Sequence, residues 1–190
     1  MPIFWSNWDL QLSRILNQIS GQLDRYHRSF GHAIAYLSLG IVLIQFLVVL
    51  LRYIFSVGSI FLQESILYQH AILLMLGSAY TLLVDGHVRL DIYYREFNAR
   101  IRSIINIIGV ICFLFPTCIV IWVYSLPYTQ QSWRVLESSK ETSGLPFVYL
   151  LKTVILLFTI LLLTQGLSLL IRSILDLGSP PNKEPSSGIN

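Results

Sequence analysis

Phe30 to Leu51 reads FGHAIAYLSLGIVLIQFLVVLL, 22 residues without a single Asp, Glu, Lys or Arg. About 20 apolar residues in helical form span a hydrocarbon core of ~30 Å. Lipid offers no partner for backbone N–H and C=O groups, so such a run has to be a helix. Three further runs of similar character follow, at 64–84, 103–126 and 147–171. Segments of roughly 12 to 20 residues join them, which suits antiparallel neighbours packed as one bundle. Composition agrees: 54% of the residues are hydrophobic and 12% charged, against about 25% charged in soluble domains. The mean hydropathy is +0.65. The expected fold class is all-α, an integral membrane four-helix bundle.

Residues 1–29 form a separate N-terminal segment without the short apolar core of a cleaved signal peptide, so the run from Phe30 reads as a signal anchor. Within that segment Leu12, Ile15, Leu16, Ile19, Leu23 and Tyr26 share one helical face, and Gln11, Arg14, Gln18, Gln22 and Arg25 share the other. This pattern predicts an amphipathic interfacial helix lying on the membrane surface. A second, shorter one is expected around Tyr93, Phe97, Ile101 and Ile104, leading into the third span. Residues 173–190 form a tail, rich in Pro, Ser and Gly from Gly178 onward, with the composition of a disordered segment.

Orientation follows from the basic residues. Arg14, Arg25, Arg28, Arg89, Arg95, Arg100, Arg102, Arg172 and Lys183 fall on one side of four crossings; only Arg52, Arg134 and Lys140 fall on the other. The positive-inside rule puts both termini in the cytoplasm. The net charge of +3 is modest, and most basic residues flank apolar runs, so nucleic acid is not an expected partner. Cys112 and Cys118 lie in one run, about 9 Å apart along a helix, and imply neither a disulfide nor a metal site.

Ionisable groups inside spans are the functional candidates, and none falls at the centre of one. Glu64 opens the second span and Lys152 stands about a turn and a half into the fourth, both on the outer side. They are expected either to pair, or to leave Lys152 snorkelling to the surface alone. Only Pro116 breaks a span, without a mirrored break such as carrier sites use. The histidines raise a competing reading, a haem-bearing electron-transfer subunit, but His32 stands near the inner end of its span and His70 about 9 Å from the outer end of its own, far apart in height, and His87 is at a boundary. A stand-alone membrane scaffold or small carrier is the other alternative. No hydrolase or phosphate motif is present, so no catalytic residue, cofactor or metal is assigned.

Several short motifs point further. Leu62-Gln63-Glu64-Ser65, Tyr80-Thr81-Leu82 and Gly86-His87-Val88-Arg89-Leu90-Asp91 occur in order, followed by Trp133, Glu137, Ser139, Gly144-Leu145-Pro146, Lys152 and Gln165-Gly166. Together they resemble the small permease subunit of TRAP transporters, the DctQ-like family, over roughly residues 30–173. Where many relatives carry a paired acid at the start of the second span, Glu64 stands alone, and Leu90 replaces the commoner Val. The resemblance implies a non-catalytic subunit of the bacterial inner membrane. It would bind a large multi-span DctM-like permease subunit, which carries out sodium-coupled uptake of an organic acid delivered by a periplasmic substrate-binding protein. It singles out Glu64, His87, Arg89, Asp91, Gly144, Leu145, Pro146 and Lys152 as partner-interface or structural motif residues. Physically, Gly86 would cap the second span in a left-handed conformation, His87 and Arg89 would face the negative end of that helix, and Gly144-Leu145-Pro146 would turn the chain into the last span, with Pro near its first turn.

Overall fold

A computed structural model describes residues 7–84, 86 and 98–178. Four helices in it are long and apolar enough to cross a membrane. Helix α1 (Asn7–Ile54) is followed by α2 (Ile60–Leu83). The third rod is composite: α3 (Ala99–Gly109), a π-helical turn over Val110–Leu114, and α4 (Phe115–Arg134). Helix α5 (Val148–Gly178) closes the chain. The four rods run alternately up and down, so the bundle has one end, called terminal below, where α1 starts and α5 finishes, and an opposite end carrying the 55–59 and 135–147 connections.

The expected membrane bundle is therefore present, with longer rods than the apolar runs alone suggest. Residues 12–26 are helical and continue into the first span without a break at Phe30. The third rod extends through Pro127 to Arg134. Pro116 does not break it. Proline has no N–H to donate, and its ring crowds the carbonyl four residues back. The helix meets both constraints by widening just ahead of Pro116, where the Phe115 amide reaches five residues back to the Val110 carbonyl.

Helix α5 is the hub and packs on all the other rods. Of its most apolar stretch 28% is buried, against 6–11% in the other three. Its buried positions are mostly small or polar: Val154, Thr159, Gln165, Gly166, Ser168, Ile171 and Ser173. Small residues let helix backbones approach where no hydrophobic force drives them together in lipid. The apolar core is correspondingly slight, built on Ile34, Leu76 and Val154 with Phe30, Leu37, Ile72 and Leu161 around it. Large apolar side chains point outward instead, such as Phe46, Leu74, Phe113, Val123 and Leu157. On α1, Gly31 is buried with the Tyr80 ring of α2 lying directly against it, closer than any side chain at position 31 allows. The Tyr80 hydroxyl meets His32 Nε2 at 3.4 Å.

Helix α2 ends differently from expectation. Its last turn closes at Val84, and the Gly86 amide bonds the Thr81 carbonyl at 2.8 Å. Among the described residues no glycine has positive φ. A backbone bond reaching back five residues thus terminates the helix without a left-handed glycine.

Candidate functional site

Polar side chains gather at the two ends of the bundle. At the connection end, α2, α4, α5 and the 135–147 loop meet. Helix α4 stops because Leu136 adopts φ 45°, and the Glu137 amide then bonds the Ser132 carbonyl at 3.0 Å. This is the Schellman arrangement, built on a leucine where glycine is usual. It turns Glu137 back onto α5, where its Oε2 pairs with Lys152 Nζ. The hydrogen bond from Lys152 holds the Glu137 carboxyl below its ordinary value. The Lys152 ammonium also lies 3.8 Å from the Tyr128 ring centre, in cation–π contact. Beside it, Trp133 Nε1 donates to Thr153 Oγ1 at 2.9 Å, and the Trp133 and Tyr149 rings meet edge to face at 4.7 Å.

Glu64 fastens the same loop from the other side. Its Oε1 accepts from Ser139 Oγ, and its Oε2 accepts from the Leu145 amide at 2.5 Å. The loop closes on itself through the Ser139 amide and the Leu145 carbonyl, at 3.2 Å. A side-chain carbon at Gly144 would fall 2.6 Å from Glu64 Oε2, so only glycine lets the carboxylate in. Pro146 stands just ahead of Phe147, whose carbonyl accepts from Leu150 and Leu151 to start α5.

Of the eight residues singled out from the sequence, Glu64, Gly144, Leu145, Pro146 and Lys152 therefore converge on this one end. His87, Arg89 and Asp91 lie outside the described residues, as do Tyr93 and Phe97. One pairing differs from expectation: Lys152 takes Glu137 rather than Glu64. The reason is local, since the left-handed turn at Leu136 delivers a carboxylate to Lys152 while the loop amide and hydroxyl already occupy both Glu64 oxygens.

The second cluster, at the terminal end, is not grouped by the sequence reading, which names its Gln165 in a motif and its Arg172 among the basic residues but not Asp24 as their partner. Ser20, Asp24 and His27 of α1 are buried against α5. Asp24 Oδ1 accepts from Ser168 Oγ at 2.8 Å and from Gln165 Nε2 at 3.1 Å, and its other oxygen pairs with Arg172. Ser168 Oγ also lies 3.3 Å from the Ser20 carbonyl, and His27 Nε2 meets Thr164 Oγ1 at 3.2 Å. The amphipathic pattern divided this segment into an apolar and a polar face, yet Ile15, Ile19 and Tyr26 are exposed. The contact runs along Ser20, Asp24, His27, Gly31, Ile34 and Ile41, all buried. The three- and four-residue steps from Ser20 to Ile34, followed by a seven-residue step to Ile41, are the signal in the sequence that marks a packed seam.

Chemically, these groups hold helices together. Asp24, Glu64, Glu137, Lys152 and Arg172 are each engaged by another segment of the chain, at an end of the bundle. Among the described residues no group of three or more His, Cys, Asp or Glu is placed to hold a metal ion.

A family model described as "Tripartite ATP-independent periplasmic transporters, DctQ component" matches residues 41–176, well over half of the chain. The match begins in the last third of α1 and runs to the last turn of α5. Neither a curated relative nor a solved structure matches.

Proposed function

The chain belongs to the DctQ family, the small membrane subunits of tripartite ATP-independent periplasmic transporters, and on that premise we propose that it braces the large permease subunit during solute uptake. The observation that carries this reading is the way the charges are used. Asp24, Arg172, Glu64, Glu137 and Lys152 each tie one segment of the bundle to another. A carrier needs ionisable or unwound groups facing a path near mid-membrane. A brace needs what this chain has, rods locked at both ends.

On this reading the subunit is non-catalytic and sits in the bacterial inner membrane with both termini in the cytoplasm. The large DctM-like subunit carries the sodium and substrate sites, and a periplasmic binding protein delivers an organic acid. His87, Arg89 and Asp91 then join Glu64 as contacts to the partner or as structural motif residues.

The test is expression of the tagged chain together with its genomic neighbours, purification in mild detergent, and uptake by vesicles with and without the chain. Recovery of a large multi-span protein, with uptake lost when this chain is omitted, supports the bracing role. A monodisperse protein without partner defeats it. A Soret band in that preparation would turn attention to haem instead.

A further inference from the structure

Helix α2 combines two properties that conflict in a lipid environment. Its most apolar 18-residue stretch is the least hydrophobic of the four, and it is also the least buried, at 6%. Most of its polar side chains are used inside the chain. Glu64 holds the 135–147 loop, Ser65, Gln69, Ser78 and Thr81 bond to backbone carbonyls, and Tyr80 meets His32. His70 and Gln63 do neither, and both are exposed.

These two fall on one stripe. Gln63, Leu67, His70, Leu74 and Gly77 follow each other at steps of four and three, so they line one side of the helix. Leu67 is 59% and Leu74 68% exposed. His70 stands ten residues into a 24-residue helix, about 15 Å from its start, because the helix begins at Ile60, and so lies deeper than the apolar run from Glu64 implies. A side-chain carbon at Gly77 would meet nothing within 4 Å, which leaves an open notch one turn beyond Leu74. By contrast, over its apolar stretch α5 turns outward aliphatic side chains such as Leu150, Leu157, Ile160 and Leu167, and its exposed polar residues, Arg172 and Asp176, come only in its last two turns. A ring nitrogen at that depth needs a hydrogen-bonding partner, which lipid tails cannot supply and a protein helix can.

We propose that the Gln63–His70–Gly77 stripe of α2 is the docking face for a transmembrane helix of the large permease subunit, a helix that fills the Gly77 notch and offers a polar side chain to His70, while the outward face of α5 meets lipid. The complementarity is polar at the centre and steric at Gly77. The stripe starts at Gln63, next to the Glu64 carboxylate that fastens the 135–147 loop, so the docked helix would begin beside that loop. This assignment rests on the accessory-subunit reading above and adds which surface is used.

The test places a photo-crosslinking amino acid at Leu74, and separately at Leu157 as the lipid-facing comparison, in the full chain expressed with its genomic neighbours. The expected result is an adduct with a large multi-span protein from position 74 and none from position 157. His70→Leu should weaken recovery of that partner by about threefold, the order of one interhelical hydrogen bond. Gly77→Trp should abolish recovery while leaving the thermal midpoint of the isolated chain unchanged, because the notch faces away from its own bundle. An adduct from 157 and not 74, or an adduct from 74 to a second copy of this chain, overturns the assignment. If the partner co-purifies with the wild-type chain but position 74 yields no adduct to it, the face alone is wrong. If the wild-type chain recovers no partner at all, the accessory reading falls and the assignment with it.

Discussion

Asp24 and Ser168 are 144 residues apart in sequence and joined by a 2.8 Å hydrogen bond that fixes the register of the first helix against the last. Gln165 and Arg172 complete the carboxylate's surroundings. Asp24→Ala would strand two donors and a guanidinium at once. Hydrogen bonds to charged groups contribute about 1.5–3 kcal/mol each, so the variant should unfold at a clearly lower temperature in detergent. Asp24→Asn keeps an acceptor for Ser168 and should lose less. Equal midpoints for wild type and Asp24→Ala would show that the seam does not hold the two helices.

Glu64 acts on the loop rather than on Lys152. Glu64→Ala should free the Leu145 amide, which now donates to its Oε2 at 2.5 Å. Hydrogen exchange at Leu145 is expected to accelerate about tenfold, the factor for one hydrogen bond of ~1.4 kcal/mol. Proteolysis within 138–146 should rise with it. Glu64→Gln, which retains one carbonyl acceptor, should fall between the two.

The Glu137–Lys152 pair carries a pH dependence whose sign is set. Lys152 depresses the Glu137 carboxyl below its ordinary value of 4.5. A carboxylate with a depressed folded-state pKa stabilises the fold above its unfolded value, and that contribution disappears as pH falls through the folded one. Thermal midpoints of wild type and Glu137→Gln should therefore differ at neutral pH and converge in acid below the ordinary carboxylate range. A gap that stays constant with pH would mean the charge on Glu137 does not stabilise the turn.

Leu136 holds φ 45° while 61% of its surface is exposed. A left-handed backbone costs an L-residue roughly 1–2 kcal/mol, and glycine escapes that cost. Leu136→Gly should accordingly raise the thermal midpoint, since little packing is lost. Destabilisation would indicate that the leucine is covered in the assembled protein.

The four spans were legible because lipid imposes a length and an apolarity that any reader can count. The convergence of Glu64 with Gly144 and Leu145 was legible only in part: the motif order grouped these residues, but the partner of Lys152 depends on a left-handed turn at Leu136, and leucine gives no hint of one. The Asp24 seam escaped because an amphipathic reading sorts residues into two faces, whereas a helix continuing into a bundle has a third, chosen by what lies beside it. Ser20, Asp24 and His27 belong to that third face. Their partners Gln165, Ser168 and Arg172 sit at matching three- and four-residue steps, with Thr164 beside Gln165, yet nothing in one chain's spacing says which two helices will be neighbours.

Helix α1 runs 48 residues without interruption. At ~1.5 Å per residue that is about 72 Å, more than twice the ~30 Å hydrocarbon thickness. Tilt absorbs little of the excess, so a large part of the rod stands outside the oily layer. It is clamped at two heights, by Tyr80 against Gly31 and by the Asp24 cluster. A stiff rod held at two points behaves as a lever: a push on its N-terminal part is delivered as torque to α2 and α5 instead of being dissipated at a hinge.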